Sequence, residues 1–349
     1  MVFPGQGSQA LGMGADVAAQ SSEARALFER ASSILGYDLL ALQKDGPEEK
    51  LRETQFSQPA IFTTNVALYT AVGDALKPVA SAGHSFGEFC SLFAAGALEF
   101  DDALRIVDER GKAMQYAAEL APGGMSAVLG LDADAIRRVV DTTRAETGKR
   151  ITLANFNSPA QIVISGDLDA VVAAGDAMLA AGAKRVVPLN VSGAWHSELM
   201  QPAVERFAAA VESGRFATPR FDVISNVDAQ PYRDAEAIKK NLVTSITHEV
   251  RWHETALRML DESLDLVVEF GASGVLGPLV KRLPNAPQVM VVSDYAGVEK
   301  LRGLLRQAQD DTGAAQDDTG AAQDDTGAAQ DDTGVAQDDT GAAQVGVKA

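Results

Sequence analysis

Between residues 123 and 197 the spacing of apolar positions switches repeatedly between short runs and helical periodicity. Met125–Leu131 is a short apolar run and reads as a strand, and Asp132–Glu146 carries its apolar residues at helical spacing. Arg150–Asn155 and Gln161–Ser165 are apolar-rich runs joined through Asn157-Ser-Pro159, which predicts a hairpin. Asp167–Ala181 reads as a second helix and Lys184–Val191 as a last strand. Strand, helix, strand, strand, helix, strand is the ferredoxin-like order. It starts after the breaker Ala121-Pro-Gly-Gly124, so residues 123–197 are expected to form a small subdomain. The flanking stretches, 1–122 and 198–308, are expected to form a larger α/β unit around a parallel sheet.

The pattern collapses at the C-terminal end. Residues 309–343 are five copies of Gln-Asp-Asp-Thr-Gly-(Ala/Val)-Ala. Seven-residue spacing suggests a coiled coil, but each copy contains a glycine and no large apolar residue. Such a segment buries too little apolar surface to offset its ordering entropy, so 309–349 is expected to be a disordered acidic tail. It also accounts for ten aspartates of a chain whose net charge is −18.

The most specific chemical signal lies in the larger unit. Residues 83–87 read Gly-His-Ser-Phe-Gly, a G-x-S-x-G nucleophile elbow. Val79–Ala82 before it suits a buried strand, and Glu88–Leu98 after it has helical composition. Glycines at 83 and 87 permit the sharp turn that lifts the Ser85 hydroxyl off the strand end. The same turn aims the Phe86 N–H and the new helix N-terminus at a developing oxyanion.

A serine nucleophile needs a base, and the chain offers His84, His196, His248 and His253. Successive residues on a strand-to-turn segment point apart, which disfavours His84. His196 lies in Asn190-Val-Ser-Gly-Ala-Trp-His-Ser197, where the run Arg185–Leu189 enters a small-residue loop, a common position for a base. His248 and His253 flank Trp252 in a mostly polar segment and read as solvent-exposed. Pattern selects Ser85 and prefers His196.

Several further segments occur in one order along the chain. They are Phe3-Pro-Gly-Gln-Gly-Ser-Gln9, Thr54-Gln-Phe-Ser-Gln-Pro-Ala60, the elbow with Glu88, Arg110-Gly-Lys-Ala-Met-Gln115, Asn155-Phe-Asn-Ser-Pro159, Gly193-Ala-Trp-His-Ser197 and Ile224-Ser-Asn226. Over about residues 2–307 the chain resembles the malonyl-CoA:acyl carrier protein transacylases, a family that includes the stand-alone enzyme of bacterial fatty-acid synthesis and the acyltransferases of polyketide synthases, so the resemblance implies a trans-acting acyltransferase of either pathway. The resemblance implies an α/β-hydrolase-like body with a ferredoxin-like insert. It implies Ser85 as nucleophile, His196 as base, and the backbone N–H groups of Gln6 and Phe86 as oxyanion hole. It implies that Arg110 grips the malonyl carboxylate, with Gln58 and Trp195 in the substrate site. A backbone carbonyl orients the histidine in this family, and the matching position is Ser245, where many relatives have glutamine. Glu249 stands where relatives often have proline.

By charge pattern alone Arg110, set among Asp108, Glu109 and Lys112, reads as a solvated helix charge. A guanidinium grips a carboxylate with two parallel bonds, however, which selects a dicarboxylic half-thioester. Phe86 and Trp195 are large where relatives carry smaller residues. Either both rings pack, or a ring beside His196 crowds C2 of the acyl group, a discrimination worth about 1–3 kcal/mol.

Composition narrows the setting. Apolar residues make up 46% of 349 residues, enough for a sizeable core. The single cysteine, Cys90, excludes a disulfide framework, suits the cytoplasm, and reads as buried packing. No run suits a membrane span, and no cysteine or histidine cluster has metal-ligand spacing. Residues 1–308 hold 29 basic and 38 acidic residues, which argues against nucleic acid. Met1-Val-Phe-Pro enters a strand at once without a signal peptide, as if a few residues were missing ahead of it. The expected partners are malonyl-CoA, as substrate, and an acyl carrier protein, with no permanently bound cofactor and a monomeric chain. Two alternatives remain at this level: an acyl hydrolase that clears stalled carrier proteins, and a carrier-docking module. A carboxylate clamp has no use in the first, and an intact serine, histidine and arginine set speaks against the second.

Overall fold

The computed structural model describes residues 1–261 and 264–308. The acidic repeats expected to form a disordered tail lie outside the described residues. The described residues fall into two units that divide after Arg302. Residues 303–308, the described part of the second, are helical.

The described residues form nine strands. In chain order these are β1 (Val2–Phe3), β2 (Ala80–Gly83), β3 (Gly123–Leu129), β4 (Ile151–Ser158), β5 (Gln161–Asp167), β6 (Arg185–Pro188), β7 (Asp222–Ile224), β8 (Leu266–Phe270) and β9 (Gln288–Val292). They make two sheets inside the first unit. One has the order β7-β2-β1-β8-β9 and all its neighbours are parallel. The other has the order β4-β5-β3-β6 and is antiparallel, with helices Ala133–Thr147 and Leu168–Ala180 in its crossovers. This is an α/β fold with a parallel sheet.

Strands β1, β2, β7 and β8 of the parallel sheet are short and almost wholly buried, as expected when helices cover both faces, whereas the edge strand β9 is mostly half-buried. The helix Thr54–Val72 has fifteen buried residues, polar ones such as Gln58, Thr63 and Asn65 among them, so it runs through the core. Trp252, Val267 and Val280 pack against Val2 and Ile224 on one side of the sheet. In the smaller sheet Val128, Ile162 and Ile164 meet Ile136, Val140, Val171 and Met178 of its two helices.

Some boundaries differ from the sequence reading. The elbow helix is Gly87–Ala94, not Glu88–Leu98, because Ala97 N–H closes onto Leu92 O and Gly96 adopts φ 68°. The hairpin strand β4 runs on to Ser158 and leaves Pro159 and Ala160 as its turn. The last strand of the smaller sheet stops at Pro188 rather than Val191.

Open parallel sheets bind ligands beyond the carboxyl ends of their strands. Here β1 leads to Gly5 and Gln6, β2 to Ser85, and β7 to Asn226, so three of the motifs gather at one edge. The smaller sheet closes over that edge. Val250 N–H donates to Ala154 O and Phe156 N–H to Val250 O, both at 2.8 Å, tying β4 to the segment that follows His248.

Candidate active site

A cavity of about 330 Å³ opens at this edge, lined by Gln6, Ser85, Arg110, Trp195 and His196 among others. The elbow sets its floor. A Cβ on Gly83 would lie 1.9 Å from the Gly87 carbonyl carbon, so only glycine lets the strand and the elbow helix approach this closely. Ser85 is left at φ 53°, a left-handed conformation that surrounding structure must enforce. His196 has a similar conformation, φ 58°, in the loop after β6.

Ser85 Oγ stands 2.9 Å from His196 Nε2. His196 Nδ1 stands 2.8 Å from Ser245 O and 3.1 Å from His248 O. Both are carbonyl acceptors, so Nδ1 carries the proton and Nε2 is free to accept one from Ser85. Burial, and after it the positive charge of Arg110, push the His196 pKa down to about 3, against the opposing pull of the two carbonyls. The imidazole is therefore neutral near pH 7.

Arg110 sits on the helix Phe100–Leu120 and is only 1% exposed. Its Nη1 donates to Gln58 Oε1 at 3.0 Å and its Nη2 to Ser85 Oγ at 3.2 Å. The guanidinium lies over the Phe207 ring, 5.9 Å from its centre. No carboxylate among the described residues forms an ion pair with it. Desolvation lowers its pKa to about 10, against the opposing pull of the nearby Glu88 carboxyl, so it remains a cation. Gly111 makes this placement possible, since a Cβ there would come within 2.8 Å of Thr54 O and push the Arg110 helix off the Gln58 helix. A buried guanidinium without an anion beside a serine hydroxyl is a receptor for a carboxylate.

The backbone N–H groups of Gln6 and Phe86 have no hydrogen-bond partner among the described residues. The Gln6 loop is pinned by Gln6 Nε2 donating to Thr54 Oγ1 at 3.0 Å. Trp195 is 5% exposed and forms part of the cavity wall. Phe86 is also buried, but its side chain is not among the cavity's lining groups, so the two large rings differ in role: Phe86 packs and Trp195 faces the cavity.

The other histidines do not bond to Ser85, although His84 also lines the cavity. His84 Nε2 lies 2.9 Å from Asn157 Oδ1, and burial lowers the His84 pKa. His248 is exposed, as expected, yet its carbonyl is the second acceptor for His196, a contribution no side-chain motif signals. His253 is half-buried rather than exposed, because it begins the helix Trp252–Leu260 that packs under the sheet. Cys90 is fully buried, with its Sγ 3.8 Å from Asn65 Nδ2, and burial raises its thiol pKa. Among the described residues no helix is long and apolar enough to cross a membrane.

Residues 1–315 match the family described as acyl transferase domain. The chain is 40% identical over 308 residues to the malonyl CoA-acyl carrier protein transacylase of Haemophilus influenzae, covering 87% of this chain and 98% of that one. Its fold is similar to the malonyl CoA-acyl carrier protein transacylase of Coxiella burnetii, with TM-score 0.83 and 36% identity over 87% of this chain and 96% of the other. It is also similar to a malonyl-transacylase solved in complex with its type II PKS acyl-carrier protein, with TM-score 0.81 and 42% identity over 85% and 96% of the two chains.

Proposed function

The chain belongs to the acyl transferase domain family, and from that premise we propose that it moves a malonyl group from malonyl-CoA to the phosphopantetheine thiol of an acyl carrier protein through a malonyl-serine intermediate. The observation that carries this reading is the buried, carboxylate-free Arg110 with its Nη2 3.2 Å from Ser85 Oγ. The malonyl carboxylate supplies the anion that the guanidinium lacks.

Each residue then has a role. Ser85 Oγ attacks the thioester carbonyl as His196 Nε2 takes its proton. The charge that develops on the carbonyl oxygen is held by the Gln6 and Phe86 N–H groups. The carbonyls of Ser245 and His248 stabilise the imidazolium through Nδ1–H. Collapse of the tetrahedral intermediate expels the CoA thiolate, which takes the proton from His196. The carrier thiol then gives its proton to His196 and attacks the malonyl ester, and Ser85 leaves with that proton. Arg110, braced by Gln58, holds the distal carboxylate throughout, and Trp195 bounds the acyl site. In this reading the body is α/β-hydrolase-like, residues 123–197 form a ferredoxin-like subdomain, and the enzyme acts as a cytoplasmic monomer with no resident cofactor.

The hydrolase alternative gains no support from the site, because a general acyl hydrolase would bury the Arg110 charge with no substrate anion to match it. Partitioning tests this. With malonyl-CoA and a carrier protein bearing phosphopantetheine, malonyl-carrier is expected to form much faster than free malonate. Release of malonate as the main product, with the carrier left unloaded, overturns the transferase reading.

A further inference from the structure

Glu88 is fully buried and is not among the residues that line the cavity. It lies in the first turn of the elbow helix, yet it caps none of that helix's own amides. Its Oε1 accepts instead from Asn226 N–H at 2.7 Å and from Tyr232 O–H at 3.3 Å, partners 138 and 144 residues away. Asn226 is 1% exposed, and its side-chain Oδ1 accepts from Ser85 N–H at 2.7 Å. The ring closes on the elbow itself, since Glu88 N–H donates to Ser85 O at 3.1 Å. Three residues thus hold one another in a cycle: Ser85 to the Asn226 side chain, the Asn226 main chain to the Glu88 side chain, and the Glu88 main chain to Ser85.

The member that needs holding is Ser85, a non-glycine residue at φ 53°. Such a conformation costs about 1–3 kcal/mol and persists only where the surroundings over-determine it. Within the elbow, the Ser85 N–H is the group that an outside partner can grip. Asn226 lies past the end of β7, where its main chain is held at two points: Arg251 N–H donates to its carbonyl at 3.0 Å, and its own N–H is held by Glu88.

We propose that Glu88 is a positioning residue, which by anchoring the Asn226 main chain keeps Ser85 in the strained conformation that presents its hydroxyl to His196. The inference rests on Ser85 being the nucleophile. Burial pushes the Glu88 carboxyl up to about 8, so near neutral pH it is mostly the neutral acid, and an acceptor oxygen rather than a charge is what the cycle uses. Glutamine offers the same oxygen.

The test is single-turnover acylation of Ser85 by malonyl-CoA, followed with the melting temperature, in wild type, Glu88→Ala, Glu88→Gln, Asn226→Ala and the Ala/Ala double variant. Glu88→Ala is expected to acylate roughly ten- to a hundredfold more slowly, the scale of a small misplacement of a reacting group. Its half-saturating malonyl-CoA concentration is expected to stay near the wild-type value, because Glu88 does not touch the acyl site. Glu88→Gln is expected to recover most of the rate. The double variant is expected to be no slower than the slower single, since both changes break one cycle. Wild-type acylation by Glu88→Ala, failure of glutamine to rescue, or additive losses in the double variant would each overturn the proposal. Should Glu88→Ala not fold, Glu88→Met fills the same space without an acceptor and takes its place. A small fluorophosphonate separates this inference from the malonyl reading. If wild type takes the phosphonate but no malonyl, the substrate reading fails, while slow phosphonylation of the Glu88 variant still upholds the positioning role.

Discussion

Arg110→Ala is expected to lower kcat/KM for malonyl transfer by roughly two to three powers of ten while acetyl transfer stays level or rises. The guanidinium is buried beside Ser85 without a carboxylate of its own, so the substrate completes the ion pair. Removing one partner of a buried pair costs about 3–5 kcal/mol, and 1.4 kcal/mol is about a factor of ten. An acetyl group brings no carboxylate and gains when the uncompensated charge is gone. Arg110→Lys is expected to be a partial substitute, because a point charge cannot make two parallel bonds. Parallel initial-rate assays with malonyl-CoA and acetyl-CoA check this, and equal losses for both would make Arg110 a structural residue. The melting temperature of Arg110→Met is expected to match or exceed wild type, because an apolar chain of similar length replaces a buried charge that has no ion pair among the described residues.

His196→Ala is expected to slow acylation of Ser85 by roughly a hundredfold or more, the usual worth of a general base. The pH profile gives an independent check. A base works only when unprotonated, and His196, with its pKa held near 3 by burial and by Arg110, stays unprotonated across the range where an ordinary histidine titrates. The wild-type rate with an uncharged serine-directed reagent is therefore expected to stay level from pH 8 down past 6.5, with its acid limb well below that point. A half-loss near pH 6.5 would mean that the base is a solvated histidine.

The elbow was legible because its function is written in backbone geometry: two glycines flanking a serine between a strand and a helix have few other uses, and the close contact of Gly83 with Gly87 bears this out. The alternation of periods in 123–197 likewise maps onto the antiparallel sheet and its two helices, with errors at the ends where turns compete with pairing. Arg110 was harder to read. Its neighbours are charged, but Lys112 pairs with Asp108 and Arg206 with Glu109 on the outer face of the helix. Arg110 itself falls in the inward stripe Ala103, Val107, Met114 and Ala117. A charge at the centre of an apolar helical stripe was the available signal, and the dense local charge masked it. The carbonyls of Ser245 and His248 left no trace in pattern, since any residue supplies one. The cycle of Ser85, Glu88 and Asn226 was equally silent, because its members are brought together only when β2 and β7 pair.

The central claim is that Ser85 carries the malonyl group between two thiols. The direct measurement is the intact mass of the protein after brief mixing with malonyl-CoA, followed by peptide mapping and a chase with carrier protein bearing phosphopantetheine. Wild type is expected to gain one malonyl group on the peptide containing Ser85 and to lose it to the carrier, and Ser85→Ala is expected to gain none. A malonyl group on Ser85→Ala, or carrier loaded by wild type with no adduct formed at any time, would contradict the account.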